Sequence, residues 1–97
     1  MIRSFNDAAT EDIYNGNNTK QARKKLDFSL WTIASRKLDM LDAAYELSDL
    51  KIPPGNRLEL LKGCYKNKYS IRINDQYRIV FHWGSQGPEQ VEIVDYH

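Results

Sequence analysis

The hydrophobic pattern of the C-terminal half constrains the fold most strongly. Up to residue 52 the apolar residues recur at helical spacing, whereas in segments 69–73 and 77–83 large apolar side chains alternate, as is typical of strands. The two segments form a hairpin with both apolar sets on one face only if their registers agree. Pairing Ile73 with Tyr77 meets this condition and leaves residues 74–76 as the loop.

This register sets Arg72 directly opposite Arg78, where two like charges repel each other. An anion between the guanidinium groups would remove the repulsion, and their forked donors best fit a phosphate or phosphodiester. The alternative is a simple salt bridge from one arginine to Asp95 or to the C-terminal carboxylate. In either case we expect the fold to tolerate loss of Arg78, because the repulsion disappears with it. The face opposite the apolar one would carry Ser70, Arg72, Arg78, Val80 and His82, with Lys62 nearby at the end of the preceding strand.

The first half of the chain predicts helices. A short helix is expected to begin after Asp7 as its N-cap and to stop at Gly16. The stretch 20–25 is compatible with a loop or a helix. Asp27 is the predicted N-cap of a main helix over roughly residues 28–47, whose apolar stripe consists of Leu30, Ala34, Leu38, Leu41 and Tyr45. The Pro-Pro-Gly sequence at 53–55 ends this helical region.

The remaining alternating segments predict further strands on either side of the hairpin. A short strand is expected at residues 2–5, another at 57–60 and a last one at 91–96. With 97 residues, the chain has room for one domain and excludes folds as large as a TIM barrel. We therefore expect an α+β domain over residues 1–97, in which an antiparallel sheet of four or so strands carries helices on one face.

Charge is unevenly distributed along the chain. The net charge is +1, but residues 51–78 carry seven basic against two acidic side chains, a local charge of +5. This segregation indicates an anionic partner for one region, although lysines that only protect a strand edge would produce the same pattern. No apolar run is long enough to span a bilayer, and the first residues lack the apolar core of a signal peptide. A single cysteine has no internal disulfide partner, so we expect a cytoplasmic protein.

The chain ends on an acidic, an aromatic and an imidazole side chain: Asp95, Tyr96 and His97. In a strand Asp95 and His97 point the same way, so the carboxylate would orient the imidazole or stabilise its charged form. A lone Asp-x-His sequence has low specificity. Neither a Ser/His/Asp array, a phosphate-cradling glycine loop nor Cys/His metal spacing is present, and no metal or cofactor is expected. The residues alone thus predict a basic sheet face with a candidate acid–base cluster.

Several motifs taken together resemble the HigB toxins of the RelE/ParE superfamily of bacterial type II toxin–antitoxin systems. The motifs that carry the resemblance are Met-Ile-Arg-Ser-Phe at 1–5, Pro-Pro-Gly-Asn-Arg-Leu-Glu at 53–59, Leu-Lys-Gly at 61–63, the hairpin at 69–79 and Val-Glu-Ile-Val-Asp-Tyr-His at 91–97. The resemblance implies a microbial-ribonuclease-like fold and an endoribonuclease that cleaves mRNA in the ribosomal A site. It also implies a helix-turn-helix antitoxin of the HigA type encoded beside the toxin. That antitoxin would neutralise the toxin, as a heterotetramer of two toxins and two antitoxins, and would alone contact operator DNA.

Carried over residue by residue, the resemblance assigns catalytic roles to Lys62, Arg72, Arg78, Asp95, Tyr96 and His97. It leaves the cations Lys20, Arg23, Lys24 and Lys25 to contact ribosomal RNA. One position departs from the pattern, because some relatives have histidine where this chain has Glu59. Either Glu59 takes over an acid–base role, or His97 does that work alone, or this branch of the family has weak nuclease activity. Two alternatives to a nuclease stay open, a ParE-like gyrase inhibitor and a ribosome-binding module without catalysis.

Overall fold

The computed structural model describes residues 1–96, and its centre is an antiparallel sheet built as a meander. Within this range four strands pair in chain order: β1 (Glu59–Leu60), β2 (Tyr69–Arg72), β3 (Tyr77–Gly84) and β4 (Gly87–Asp95). The predicted hairpin register is confirmed, since Arg72 pairs with Arg78 and the Ile73 N–H donates to the Tyr77 carbonyl at 3.0 Å. The expected α+β sheet architecture is therefore present.

The outer strands differ from their predicted bounds. β4 begins at Gly87 instead of residue 91, because β3 and β4 are joined by a tight turn at 85–86. β1 is two residues long, shorter than the alternating segment 57–60. The predicted strand at 2–5 is wrong: in this segment the structure has one isolated parallel bridge, from Phe5 to Val91.

The helices begin where side-chain oxygens satisfy free backbone N–H groups. In α1 (Ala8–Asn15) the Asp7 carboxylate accepts from the Thr10 N–H at 2.6 Å, and Gly16 closes the helix in the left-handed region with φ of 76°. Residues 20–25, left undecided by the sequence, form the helix α2 (Lys20–Lys25), which Thr19 caps.

The main helix is shorter than the predicted 28–47. Asp27 caps a 3-10 turn at Phe28–Leu30, and α3 runs from Trp31 to Ala43. The helix stops because the Asp49 carboxylate accepts from the N–H groups of Tyr45 and Glu46, each at 3.0 Å, in a capping box that starts a new 3-10 turn. Tyr45, predicted on the buried stripe, is consequently 94% exposed.

The core lies between these helices and one face of the sheet, as expected. Its sheet side consists of Ile71, Ile73, Ile79, Phe81, Val91 and Ile93, and its helix side includes Ile13, Leu26, Trp31, Leu38 and Leu41. The opposite sheet face is less open than the alternation predicts. Ser70 and Val80 are fully buried there, because the segment from Arg57 to Lys68 crosses over this face.

Replacing Asp7 with alanine should lower the free energy of unfolding by about 1–2 kcal/mol. The substitution removes the N-cap of α1 and also the ion pair in which Lys25 of α2 lies 3.1 Å from the Asp7 carboxylate. Denaturant unfolding measures the loss, and Asp7→Asn, which keeps a capping oxygen but not the charge, should lose less. Equal stability of the wild type and Asp7→Ala would contradict this account of how α1 and α2 are held together.

Candidate functional site

Arg78 is the best-held side chain on the face of the sheet away from the helices. It is only 8% exposed, its Nε donates to the Ser70 hydroxyl at 2.7 Å, and its Nη2 donates to the Arg57 carbonyl at 2.6 Å. Burial lowers the pKa of the Arg78 guanidinium, while the nearby charges of Glu59 and Tyr96 act in the opposite direction. The expectation that the fold would tolerate loss of Arg78 stays a prediction, but the structure gives this loss a cost, since removal of Arg78 would leave the buried Ser70 hydroxyl and the part-buried Arg57 carbonyl without their donor.

The carbonyl that holds Arg78 is presented by an unusual turn. Arg57 has a φ of 46°, in the left-handed region, and follows a 3-10 turn at Pro54–Asn56. Asn56 is fully buried, donates to the Leu50 carbonyl at 3.1 Å and accepts from the Lys37 ammonium. The Pro-Pro-Gly-Asn-Arg motif therefore positions a backbone oxygen.

Arg72 lies across from Arg78 and is half-buried. Its guanidinium forms an ion pair with the Asp75 carboxylate in the hairpin loop. The salt bridge considered from the sequence was to Asp95 or the C-terminal carboxylate. Burial is the main cause of the lowered pKa of Arg78, and the positive charges of Arg72 and Arg57 act in the same direction, as expected of like charges. The arginine cluster, defined as Arg57, Arg72 and Arg78, is thus an electropositive site with one member fixed in place.

Two further polar groups adjoin the arginine cluster. The Glu59 carboxylate lies 3.8 Å from Nη2 of Arg78 and is 52% exposed, so the position that departs from the family pattern lies inside the site. Tyr96 follows the end of β4, and its N–H donates to the Gln76 carbonyl at 2.8 Å. Tyr96 lies two residues beyond Val94, which pairs with Arg78 in the sheet register.

The other predicted site residues are more dispersed. In the sheet register Asp95 pairs with Tyr77, whereas the residue that pairs with Arg78 is Val94. The Asp95 carboxylate accepts from the Gln76 amide at 3.1 Å. Lys62 is exposed beyond β1. His97 lies outside the described residues.

The cations of α2 occupy several environments. Lys20, Arg23 and Lys24 are exposed, with Arg23 donating to the Asn18 side chain at 2.6 Å, whereas Lys25 is half-buried beside Asp7. Lys24 and Lys25 also line a groove at the edge of β4 together with Tyr65 and Asp95. Neither Tyr65 nor the Arg57 carbonyl was predicted from the sequence, because Tyr65 lies outside the periodic segments and a backbone oxygen has no sequence signature.

The described part of the chain has neither a metal-binding cluster nor a membrane-spanning helix. No group of three His, Cys, Asp or Glu side chains there is arranged to hold a metal ion. No helix among residues 1–96 is long and apolar enough to cross a membrane.

The sheet, the helices on one of its faces and the arginine cluster on the other define an α+β protein with a microbial-ribonuclease-like fold. A chain of a YoeB-YefM complex from Staphylococcus aureus has this fold, with a TM-score of 0.60 and 15% identity over 100% of this chain and 98% of that chain. A heterotetrameric YoeB-YefM complex of the same organism gives a TM-score of 0.54 and 17% identity, with the same coverage of both chains. At such low identity these similarities establish the fold alone.

The chain belongs to the HigB-like toxin family. The model of that family, described as the RelE-like toxin HigB of type II toxin–antitoxin systems, matches residues 3–97. Toxin HigB-1 of Vibrio cholerae serotype O1 is 42% identical over 83 residues, which are 86% of this chain and 84% of that protein. The family resemblance inferred from the sequence motifs is confirmed.

Proposed function

We propose that this protein is a ribosome-dependent endoribonuclease that cleaves mRNA in the ribosomal A site and thereby inhibits translation and growth. The observation that carries the proposal is the fixed orientation of Arg78 opposite Arg72. Ser70 and Arg57 engage Nε and Nη2, and within residues 1–96 Nη1 makes no hydrogen bond. Its two N–H groups would bind the scissile phosphate, with Arg72 opposite them.

The reaction would follow metal-free RNA cleavage. The 2′-hydroxyl attacks the adjacent phosphate, a base accepts its proton, and an acid protonates the 5′-oxygen that leaves. Arg72 and Arg78, with Lys62, would stabilise the negative charge that builds on the phosphorane. Tyr96 beside Arg78 would contact the RNA or assist proton transfer.

Two groups are needed for the two proton transfers. Glu59 would act as the base, which is supported by the 3.8 Å distance between its carboxylate and Nη2 of Arg78. His97 would act as the acid, with Asp95 two residues before it to orient or charge the imidazole. This assignment would give the Glu59 carboxylate the role that histidine has in some relatives.

Changing Glu59 to glutamine should lower the single-turnover rate of cleavage by about 10²-fold, the lower end of the usual range for a general base. We expect a loss at the lower end of this range because the Glu59 carboxylate is half-exposed, so that water can accept the proton in its place. Ribosome binding should be unchanged. Glu89→Gln, on the same sheet but beside His82, is the matched control. If Glu59→Gln cleaves as fast as the control variant, His97 performs the acid–base work alone.

The partners follow from the same proposal. Lys20, Arg23, Lys24 and Lys25 on α2 would bind ribosomal RNA phosphates, which requires charge but no sequence recognition. The toxin would act in the cytoplasm, where mRNA is translated. The structural neighbours are chains of YoeB-YefM complexes, one of them described as a toxin–antitoxin heterotetramer, which supports a partner antitoxin here. That antitoxin would be of the HigA helix-turn-helix type, in a complex of two toxins and two antitoxins, and would repress the shared operon.

Toeprinting of a translating message with purified protein tests the proposal. New 3′ ends inside ribosome-bound codons are the expected result. Trapped gyrase–DNA complexes without mRNA cleavage would instead indicate a ParE-like gyrase inhibitor. Inhibition of translation without cleavage would indicate a non-catalytic ribosome-binding module.

A further inference from the structure

A groove lies at the edge of β4, and its lining includes Val94, which pairs with Arg78 in the sheet register. Its volume is about 410 Å³, within the range of small-ligand sites, and its lining includes Lys24, Lys25, Tyr65, Glu92 and Asp95. The two lysines come from α2 on the helix side of the sheet, while Tyr65 belongs to the 3-10 turn at Gly63–Tyr65 on the opposite side. The edge groove, as we call it, therefore forms where both layers meet.

Tyr65 and Tyr96 connect the edge groove to the arginine cluster. Burial raises the pKa of the Tyr65 hydroxyl, and the charges of Glu92, Cys64 and Tyr96 add to this while Lys25 opposes it. Tyr96 in turn acts on Arg78. The sheet register gives the same connection, because Val94 lines the edge groove and pairs with Arg78. An extended chain of nucleotides bound at the arginine cluster would therefore reach the edge groove next.

We infer that the edge groove binds the mRNA nucleotide adjacent to the scissile phosphate. This inference rests on the proposed nuclease function. Aromatic rings beside cationic side chains are the usual means of binding single-stranded nucleic acid, because bases stack on the rings while lysines contact phosphates. The Tyr65 ring would face the base. Lys24, which is exposed, would contact the next phosphate, while Lys25 is held by Asp7.

The acidic residues of the groove favour an uncharged base beside them. Glu92 and Asp95 line the same walls as the lysines, so a carboxylate or a phosphate next to them would meet like charges. A nucleobase is planar and uncharged, and its amino groups donate to carboxylates. The cations of α2 would then contact two ligands: Lys20 and Arg23 would bind ribosomal RNA, and Lys24 would bind mRNA.

Binding of a labelled, short 2′-O-methyl RNA oligonucleotide, which cannot be cleaved, tests the inference on the full chain. Fluorescence anisotropy over a salt series should show that Tyr65→Leu weakens binding by about tenfold, the scale of one lost stacking contact. Lys24→Ala should reduce the slope of log affinity against log salt by about 0.7, the value for one phosphate contact to a single strand. Tyr65→Phe should bind like the wild type, and Lys51→Ala, an exposed lysine outside the groove, should leave both affinity and slope unchanged.

Several results would overturn the inference. One is that the wild type shows no measurable binding of the oligonucleotide even at low salt, and another is that both groove variants, Tyr65→Leu and Lys24→Ala, bind it with wild-type affinity. A third such result is that Lys51→Ala loses as much affinity as the groove variants. Binding of poly-glutamate that depends on Lys24, with RNA binding unaffected, would assign the groove to an acidic protein partner instead. Because the assay involves no cleavage, RNA binding at the groove without mRNA cleavage on ribosomes would reject only the proposed function. Cleavage without groove-dependent binding would reject only the inference.

Discussion

Arg78→Lys should lower the single-turnover rate of mRNA cleavage on the ribosome by about 10³-fold, the upper end of the loss for one transition-state donor. Lysine keeps the charge but lacks the planar fork, so it does not reproduce the bonds to Ser70 and Arg57 while still donating to phosphate. The loss should therefore appear in the cleavage step, whereas ribosome binding is retained.

The same substitution should also cost stability, since the lost hydrogen bonds are buried. We expect the free energy of unfolding to fall by about 1–3 kcal/mol, measured by denaturant unfolding under the conditions of the cleavage assay. Arg36→Lys, a surface arginine on α3, is the control and should change neither quantity. A folded Arg78→Lys protein that cleaves at the wild-type rate would remove Arg78 from phosphate binding.

Deleting His97 should lower the cleavage rate by about 10²–10⁴-fold, the usual contribution of a general acid–base group. Folding should persist, because the core and the sheet are formed within residues 1–96. Ribosome affinity should persist too, because it is assigned to α2. His82→Gln, which alters the other histidine of the chain, should retain the wild-type rate.

The two readouts of the His97 deletion separate its roles. Unchanged cleavage would exclude His97 from proton transfer and leave Glu59 as the acid–base residue. Lost ribosome binding with normal folding would make the C-terminus a docking element. Thermal unfolding of the truncated protein, compared with the wild type, shows whether either change is secondary to a loss of structure.

The hairpin could be predicted from the sequence because its two strands carry a strict alternation with a fixed parity. Only one short loop buries both apolar sets, so Arg72 necessarily faces Arg78. The α1 caps were predictable for a similar reason, since Asp7 and Gly16 act through local backbone geometry. In both cases the determining interactions lie within a few residues along the chain.

The burial of Arg78 could not be predicted in this way. It depends on the carbonyl of Arg57, 21 residues away, and a backbone oxygen has no sequence signature. The end of α3 was missed because the local bonds of Asp49 compete with a helical pattern that continues to Tyr45. Tyr65 reaches the edge groove from a 3-10 turn, where no periodicity indicates its direction.

In the proposed reaction, the arginine cluster promotes attack by a 2′-hydroxyl of ribosome-bound mRNA on the adjacent phosphate. The most direct test compares cleavage of two ribosome-bound messages that differ only in a single 2′-deoxy nucleotide at the mapped cleavage site. The account predicts cleavage of the all-ribose message to a 5′-hydroxyl and a 2′,3′-cyclic phosphate, and no cleavage at that phosphate in the deoxy message. Equal cleavage of both messages, or cleavage of neither, would contradict it.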